Sequence, residues 1–505
     1  MATEDRKRQV IIVGGGITGL TLALMLQQLE VDYVLLEAYS TVTPNVGASI
    51  GLFANGLRVL DQLGLYEEIL SKSQPVEETI VRDSTSGKRI MTRRTRNLTT
   101  ERHGYPTLFT ERYRLICTLY DHLKEKDRIF VNKKVQRVEN LEDCAEVYTT
   151  DGSVFKGQIV VGADGVRSTI RQEMWRNADA NNDSDAIPAR DRQDIPCEHA
   201  CIFGTAKSTE GVAAGQVIGA SAEGTLAGCM GGPEGEVFIF WFWTLPTSQQ
   251  SCPINDIPRF NDADKAREFK RGGNSLVADN GLRFQEVVDN LEYSGVTALP
   301  HFVMRRWHYG RIVIIGDAAH KFNPLVGQGG NSCIESCASL VNALQEQKLL
   351  GPLATDNSSW PTSRLETAFT NLERQRIDRL VDMVEKCQDA MRASVWSTWK
   401  GRLMHKYIAP LLPTSTWFNF YSNQISGGLS LKSAKPPLPA HNWPYSDEKS
   451  VEEKALKLSK ASLVATLPIA AATAFLLARV ARQENGLGGS LLLSRLMETL
   501  SGFRH

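Results

Sequence analysis

The chain has 505 residues, 42% of them hydrophobic and 23% charged, enough to bury a large core in more than one lobe. Lys+Arg and Asp+Glu balance at 57 each, so the bulk charge points to no nucleic acid and no acidic partner. The 9 cysteines are scattered without a C-x-x-C pair, which argues against a disulfide framework and expects reduced, buried thiols. Cys197, His199 and Cys201 stand near one another in the chain, but without a second ligand cluster they make no zinc site, and no metal is expected.

Residues 1–9 are polar and charged and lead directly into an apolar strand. No secretory signal is expected there, so the sequons at Asn97, Asn182 and Asn357 should stay unmodified. Residues 10–13 read as a strand, Gly14-Gly15-Gly16 breaks it, residues 17–29 carry a helical apolar pattern, and residues 33–36 form a second strand ending at Glu37. Helical patterns follow at 52–65 and 112–124, and Asp151-Gly152 marks a hairpin between 146–149 and 154–161. Residues 181–192 are polar and read as an exposed loop. Residues 200–245 alternate as an antiparallel sheet would, a suitable floor for an apolar ligand or simply a second core sheet. A strand returns at 311–315, helices are expected at 330–344 and 365–394, and the proline-rich run from Lys435 reads as a linker ending the globular part. In the tail, residues 461–478 carry no charge and are flanked by Lys454, Lys457, Lys460, Arg479 and Arg482, which meets the lower length for a membrane-spanning helix.

Gly14-x-Gly16-x-x-Gly19, with Glu37 eighteen residues further on, sits inside the first strand–helix–strand unit. Gly14 permits the tight turn, Gly16 lets backbone approach a pyrophosphate, and Gly19 lets the helix pack close to its strand. The helix N-terminus offers N–H groups and positive dipole to phosphate, and Glu37 can accept from ribose hydroxyls. Two further motifs join strands to helix starts: Gly162-Ala163-Asp164-Gly165, and Gly316-Asp317-Ala318-Ala319-His320 followed by Pro324 and Gly327-Gln328-Gly329-Gly330-Asn331. An aspartate at a strand end can bind a ribityl hydroxyl, and the glycines after it let N–H groups reach a flavin ring. The three signals together, in this order, read as an FAD site.

With these motifs the chain resembles the class A flavoprotein monooxygenases, the para-hydroxybenzoate hydroxylase-like family, over residues 8–400. The resemblance places Arg112, in Phe109-Thr110-Glu111-Arg112, near the flavin, and Gly51, in Gly47-Ala48-Ser49-Ile50-Gly51-Leu52, in the loop passing the cofactor. Cofactor-binding residues are therefore expected at Gly14, Gly16, Gly19, Glu37, Gly51, Arg112, Asp164, Asp317, Gly327 and Gly330. The motif from Gly316 to Ser336, and the apolar tail, are similar to those of fungal epoxidases of indole-diterpene and meroterpenoid pathways. Glu335-Ser336-Cys337 stands where many aromatic hydroxylases of the family have Glu-Asp-Ala, which weighs against the alternative, an aromatic-ring hydroxylase.

The resemblance implies an α/β fold: a Rossmann-like FAD-binding domain from residues 8–75, 110–185 and 300–345, interleaved with a β-sheet substrate domain from 76–109 and 186–299. A helical region at 346–434, a linker at 435–460 and a candidate transmembrane helix at 461–482 complete it, for a membrane-associated enzyme with its catalytic part in the cytoplasm. It implies oxygenation by O2 and NAD(P)H through a C4a-hydroperoxyflavin, with the nicotinamide visiting transiently, since no second Gly-x-Gly-x-x-Gly is present. The expected substrate is a hydrophobic small molecule, a farnesyl-type chain to be epoxidised. No catalytic side chain is expected, because oxygen transfer to an alkene needs a dry, orienting pocket rather than a protein nucleophile. His320 reads as a structural hydrogen-bonding group.

Overall fold

Val10, Ile11, Ile12 and Val13 are all buried, as befits a strand covered on both faces in a parallel sheet. In the computed structural model, which describes residues 7–44, 49–350, 359–435 and 439–449, this strand lies at the centre of an 8-stranded sheet. Its neighbours are Tyr33–Leu36 on one side and Val154–Gly162 on the other, both parallel, with Val10 opposite Tyr33 and Ile11 opposite Val160. Ile312–Ile314 continues the parallel array beyond Val154–Gly162, and Ile129–Phe130 beyond Tyr33–Leu36. The chain leaves the central strand towards one side and returns on the other, so the order reverses at the carboxyl end of Arg8–Val13, where open α/β sheets bind their ligands. The hairpin expected at Asp151-Gly152 is present, with Gly152 at φ +85° and Ala145–Thr149 antiparallel to Val154–Gly162.

A second, 7-stranded sheet runs in the order Leu291–Leu299, His199–Ala206, Val237–Thr244, Thr225–Gly231, Gln216–Ala222, Glu78–Asp83, Arg89–Arg94. All its pairs are antiparallel except Gln216–Ala222 with Glu78–Asp83. One face packs inward through Trp241, against Phe284 with ring centroids 5.9 Å apart, and Trp243, against Phe260 at 5.5 Å. Helix Gln328–Glu346 is buried along most of its length, and helix Thr362–Ser394 lays a stripe of Leu365, Phe369, Leu372, Leu380, Met383 and Cys387 inward.

The structure corrects several expectations. Residues 181–192 form short 3-10 turns, and Asp191 within them is buried, its carboxylate accepting from the backbone N–H groups of Arg305 and Arg306 at 2.8–2.9 Å. Polarity there marks a clamp as well as a loop. Beyond Lys435 the chain still contributes to the packed body: Tyr445 is buried and its hydroxyl donates to His103 O at 2.9 Å. The chain divides into the units Met1–Asp447 and Glu448–His505, and the architecture above belongs to the first. The membrane anchor is withdrawn. Among the described residues no helix is long and apolar enough to cross a membrane; the longest, Thr362–Ser394, is amphipathic and charged along one side. The segment 461–482 lies outside the described residues, so the transmembrane helix and the membrane-associated localisation have no structural support.

Candidate functional site

The strand ends that face the reversal point carry the sequence motifs. Gly14, at φ +107°, turns the chain after the central strand, and a Cβ there would collide with Ala163 O and lie 3.0 Å from the Asp164 Cα. A Cβ on Gly19 would strike Gly14 O, so helix Ile17–Gln28 can lie on its strand only with glycine at this position. Gly316, at φ +64°, abuts Thr18 in the same way. The turn at Asp164 thus touches Gly14, and the turn before Asp317 touches the helix that Gly14 introduces.

That helix start is open. No side chain caps Ile17–Gln28 and no acidic residue occupies its first turn, while a Cβ on Gly16 would meet nothing closer than Arg112 Nη2 at 3.9 Å. Arg112 is half-buried, and among the described residues its guanidinium has no hydrogen bond or ion pair; burial holds its pKa below the usual range, with Asp317 opposing. Free N–H groups, a positive helix end and an unpaired guanidinium around one small opening suit a pyrophosphate. Glu37, at the end of the next strand, accepts from Gly15 N at 2.6 Å and Tyr39 N at 2.9 Å. The residues present therefore fit FAD.

Asp317 pairs with Lys321, lies 3.8 Å from the Cys333 thiol, and faces Arg112. Burial works against the Lys321 ammonium, yet the Asp317 carboxylate prevails and raises its pKa. Asp164 faces inward: it accepts from Ser168 Oγ at 2.5 Å and Ile170 N at 3.1 Å, building the start of helix Thr169–Ala180, and burial pushes its carboxyl above the usual range.

Gly51, Gly327 and Gly330 form a second group. Gly327, at φ +67°, precedes helix Gln328–Glu346, whose N-terminus also lacks a side-chain cap. A Cβ on Gly330 would press on Ile50 at 2.7 Å, and one on Gly51 on Phe109 at 3.2 Å, whereas Gly329 opens onto free space. Asn331 joins these pieces, donating to Gly51 O at 2.9 Å and Gly327 O at 2.8 Å and accepting from Phe53 N at 3.0 Å.

Behind this loop lies a buried ion cluster absent from the expected site residues. Glu335 and Arg376 are both fully buried and paired, and Arg379 adds a bond to Glu335 at 2.9 Å. Asn55 Nδ2 donates to Glu335 at 2.5 Å. Burial alone would raise the Glu335 pKa, but Arg379 and Arg376 hold it down at about 2. A glutamate within a helix of small residues, and arginines three apart on another, were the available sequence signals. His320 is buried and shares a hydrogen bond of 2.9 Å with Ser336 Oγ, and burial with Arg376 pulls its pKa down to about 3. It is a neutral packing group. No group of acidic, histidine and cysteine side chains suited to a metal is found among the described residues.

Buried His103 shares this depression to about 3, and His199 and His301 fall to about 4, burial leading in each case. Each folded pKa lies below the unfolded value of 6.5, so the unfolded chain takes up protons first. Their contribution is complete above pH 6.5 and drains away towards pH 3–4, at up to roughly 1.4 kcal/mol per pH unit for each imidazole. Thermal unfolding scanned from pH 7 to about pH 5 should show Tm falling throughout; a level Tm would contradict the buried neutral imidazoles.

On its other face the 7-stranded sheet presents Cys201 and Leu226 opposite Phe242, and Phe203 opposite Phe240. Phe240 and Phe242 stack with centroids 5.8 Å apart. Gly219 and Gly228 lie opposite each other in the middle of this face, so neither strand projects a side chain there. Met391 and Val395 from the long helix pack over this face, and Leu325, two residues before Gly327, reaches it from the cofactor loop. An apolar cluster thus adjoins the glycine-rich turn.

A family model described as FAD binding domain matches residues 7–189 and 281–348. The FAD-dependent monooxygenase prhF of Penicillium brasilianum is 34% identical over 411 residues, 81% of this chain and 83% of that one. The FAD-dependent monooxygenase penE of Penicillium thymicola is 34% identical over 430 residues, 84% and 87% of the two chains. Among solved structures, Klebsiella pneumoniae HpxO complexed with FAD and uric acid superposes with a TM-score of 0.68 at 21% identity, over 83% of this chain and 97% of that one, which shows a shared fold. The resemblance read from the motifs holds, and with relatives this similar over four-fifths of its length the chain belongs to the FAD-dependent monooxygenases.

Proposed function

We propose that the enzyme uses O2 and NAD(P)H to epoxidise the prenyl, farnesyl-type chain of a meroterpenoid or related terpenoid in secondary-metabolite biosynthesis. The single observation that carries this reading is the apolar sheet face of Phe203, Leu226, Phe240 and Phe242, bare of side chains at Gly219 and Gly228 and met by Leu325 of the cofactor loop. A long hydrocarbon chain suits such a face, and burying it is favourable at roughly 25 cal/mol per Å². When bound, FAD supplies the redox chemistry that places one atom of O2 on the substrate.

In this reading the helix start at Gly16 gives the pyrophosphate its backbone N–H groups, Gly14 and Gly19 shape the turn and the close helix packing that place it, Glu37 holds the adenosine ribose and Arg112 supplies positive charge. Asp164 supports the turn, Asp317 takes a ribityl hydroxyl, and Gly51, Gly327 and Gly330 admit the flavin ring. Residues 8–75, 110–185 and 300–345 make up the cofactor domain, 76–109 and 186–299 the substrate domain, and 346–434 a helical cover. The chain's own work in catalysis is to orient the alkene and exclude water. His320, neutral and hydrogen-bonded to Ser336, moves no proton.

The test is an absorbance spectrum of purified protein, then NADPH oxidation under air with farnesylated phenolic acids. Bound flavin and a product one oxygen heavier, with its ring unchanged, supports epoxidation. A ring-hydroxylated product would transfer the assignment to aromatic hydroxylation.

A further inference from the structure

The apolar cluster is bordered at one end by polar groups without a hydrogen-bond partner among the described residues. Gln388 is 3% exposed, and both atoms of its amide lack a hydrogen-bond partner. It lies three and seven residues before Met391 and Val395, on the same stripe of helix Thr362–Ser394 that packs against Phe240, Phe242 and Leu325. On the sheet, His199 is 2% exposed with its Nε2 unpartnered, and it lies two residues before Cys201 on the strand edge of the same apolar face. Opposite His199 in the ladder stands Thr244, whose Oγ1 is also buried and unpartnered.

These groups belong to one corner of the fold. Arg392, one turn beyond Gln388, pairs with Glu198, the neighbour of His199, and Gly224 N donates to Val395 O at 2.7 Å. Buried amides and imidazoles find partners in nearly all folded proteins, because a desolvated polar atom without one is costly. Several unmet groups beside one apolar cluster therefore suit a ligand's own polar atoms.

We propose that Gln388, with His199, recognises a neutral hydrogen-bonding group, a hydroxyl or a carbonyl, at the polar end of the otherwise hydrocarbon substrate. The inference rests on the prenyl-substrate reading and deepens it. The primary amide offers a donor and an acceptor side by side, and so accommodates either a hydroxyl or a carbonyl. A carboxylate is disfavoured, because Arg392 is committed to Glu198 and Asp389 and, among the described residues, no other cation is placed against Gln388 or His199. Gln388 is thus a specificity-determining residue. It fixes which stretch of the chain lies beneath the cofactor loop.

The experiment is calorimetric binding of 4-farnesylphenol and farnesylbenzene to the FAD-loaded enzyme and to its Gln388→Leu variant. The native enzyme should bind the phenol about tenfold more tightly than the hydrocarbon, the value of one well-placed hydrogen bond. Gln388→Leu should erase that preference while changing farnesylbenzene affinity by less than about twofold. Its ligand-free Tm should hold or rise, since an unpartnered amide gives way to an apolar side chain of similar size. A preference that survives in the variant overturns the proposal, as does a fall in Tm of more than about 3 °C, which would mark Gln388 as a structural group. Should neither ligand bind the native enzyme, the prenyl reading fails on its own account. The Tm comparison then still decides on Gln388: a fall overturns its recognition role, and a hold or rise supports it.

Discussion

Replacing Glu335 with leucine should lower stability by about 3–5 kcal/mol, the cost of leaving a buried charge without its counterpart. Arg376 is 0% exposed, and its remaining contacts after the substitution would be Ser336 Oγ and Ser332 O, both at 3.2 Å. Neither carries charge. Arg379 can turn towards solvent and keeps its bond to Gln424 O at 2.7 Å, so the penalty falls on Arg376. Urea unfolding of the variant against the native chain measures it, and a loss under about 1 kcal/mol would refute the account. Glu335→Gln should fall between, because the amide keeps hydrogen bonds and loses the charge. The same pair predicts acid sensitivity. With its folded pKa at about 2 against 4.5 in the unfolded chain, Glu335 contributes fully above pH 4.5 and loses that contribution as the pH falls through 2.

Asp317→Ala should leave the chain folded and largely colourless. The carboxylate is partly exposed and pairs with Lys321 beside Arg112, so its removal sets two cations together at the edge of the cofactor opening and removes the proposed ribityl acceptor. Loss of a charge-assisted hydrogen bond is worth about 1.5–3 kcal/mol, which corresponds to a drop of ten-fold or more in FAD affinity. The ratio of flavin to protein absorbance after gel filtration reads this directly, and a variant with full flavin content would contradict the role. Arg112→Ala should reduce flavin content less, because the helix N-terminus at Gly16 still meets the phosphates.

What could be read in advance follows from where the physical constraint is local. Gly14 and Gly19 are legible because a Cβ at either position meets backbone a few residues away or in an adjacent turn, and only glycine avoids it. The strand runs at Val10 and Tyr33 are legible because a doubly covered strand must be apolar on both faces. The Glu335 cluster was not legible: Asn55, Glu335, Arg376 and Arg379 meet across 41–280 residues of chain, and such pairing leaves no periodicity behind. Asp164 was legible as a strand-end acid, yet its bonds to Ser168 and Ile170 depend on the local path of the turn. Asp191 was hidden for the opposite reason, since polar surroundings masked one buried carboxylate. The membrane expectation rested on an uncharged stretch of the lower spanning length flanked by Lys and Arg, features that say little about how a segment is used.

The wide separation of the cofactor-site segments also governs how the protein is made. Gly14 leaves the ribosome early, but the Asp164 turn it touches, the Gly316 turn that abuts Thr18, and Arg376 behind helix Gln328–Glu346 emerge up to roughly 70 s later at ordinary elongation rates. During that interval the first strand–helix unit carries an unfilled glycine turn and an apolar sheet edge, with only part of its parallel array available. Nascent chains halted before residue 376 should accordingly depend on holdase chaperones and retain no flavin, and cellular riboflavin supply should set the yield of the finished enzyme.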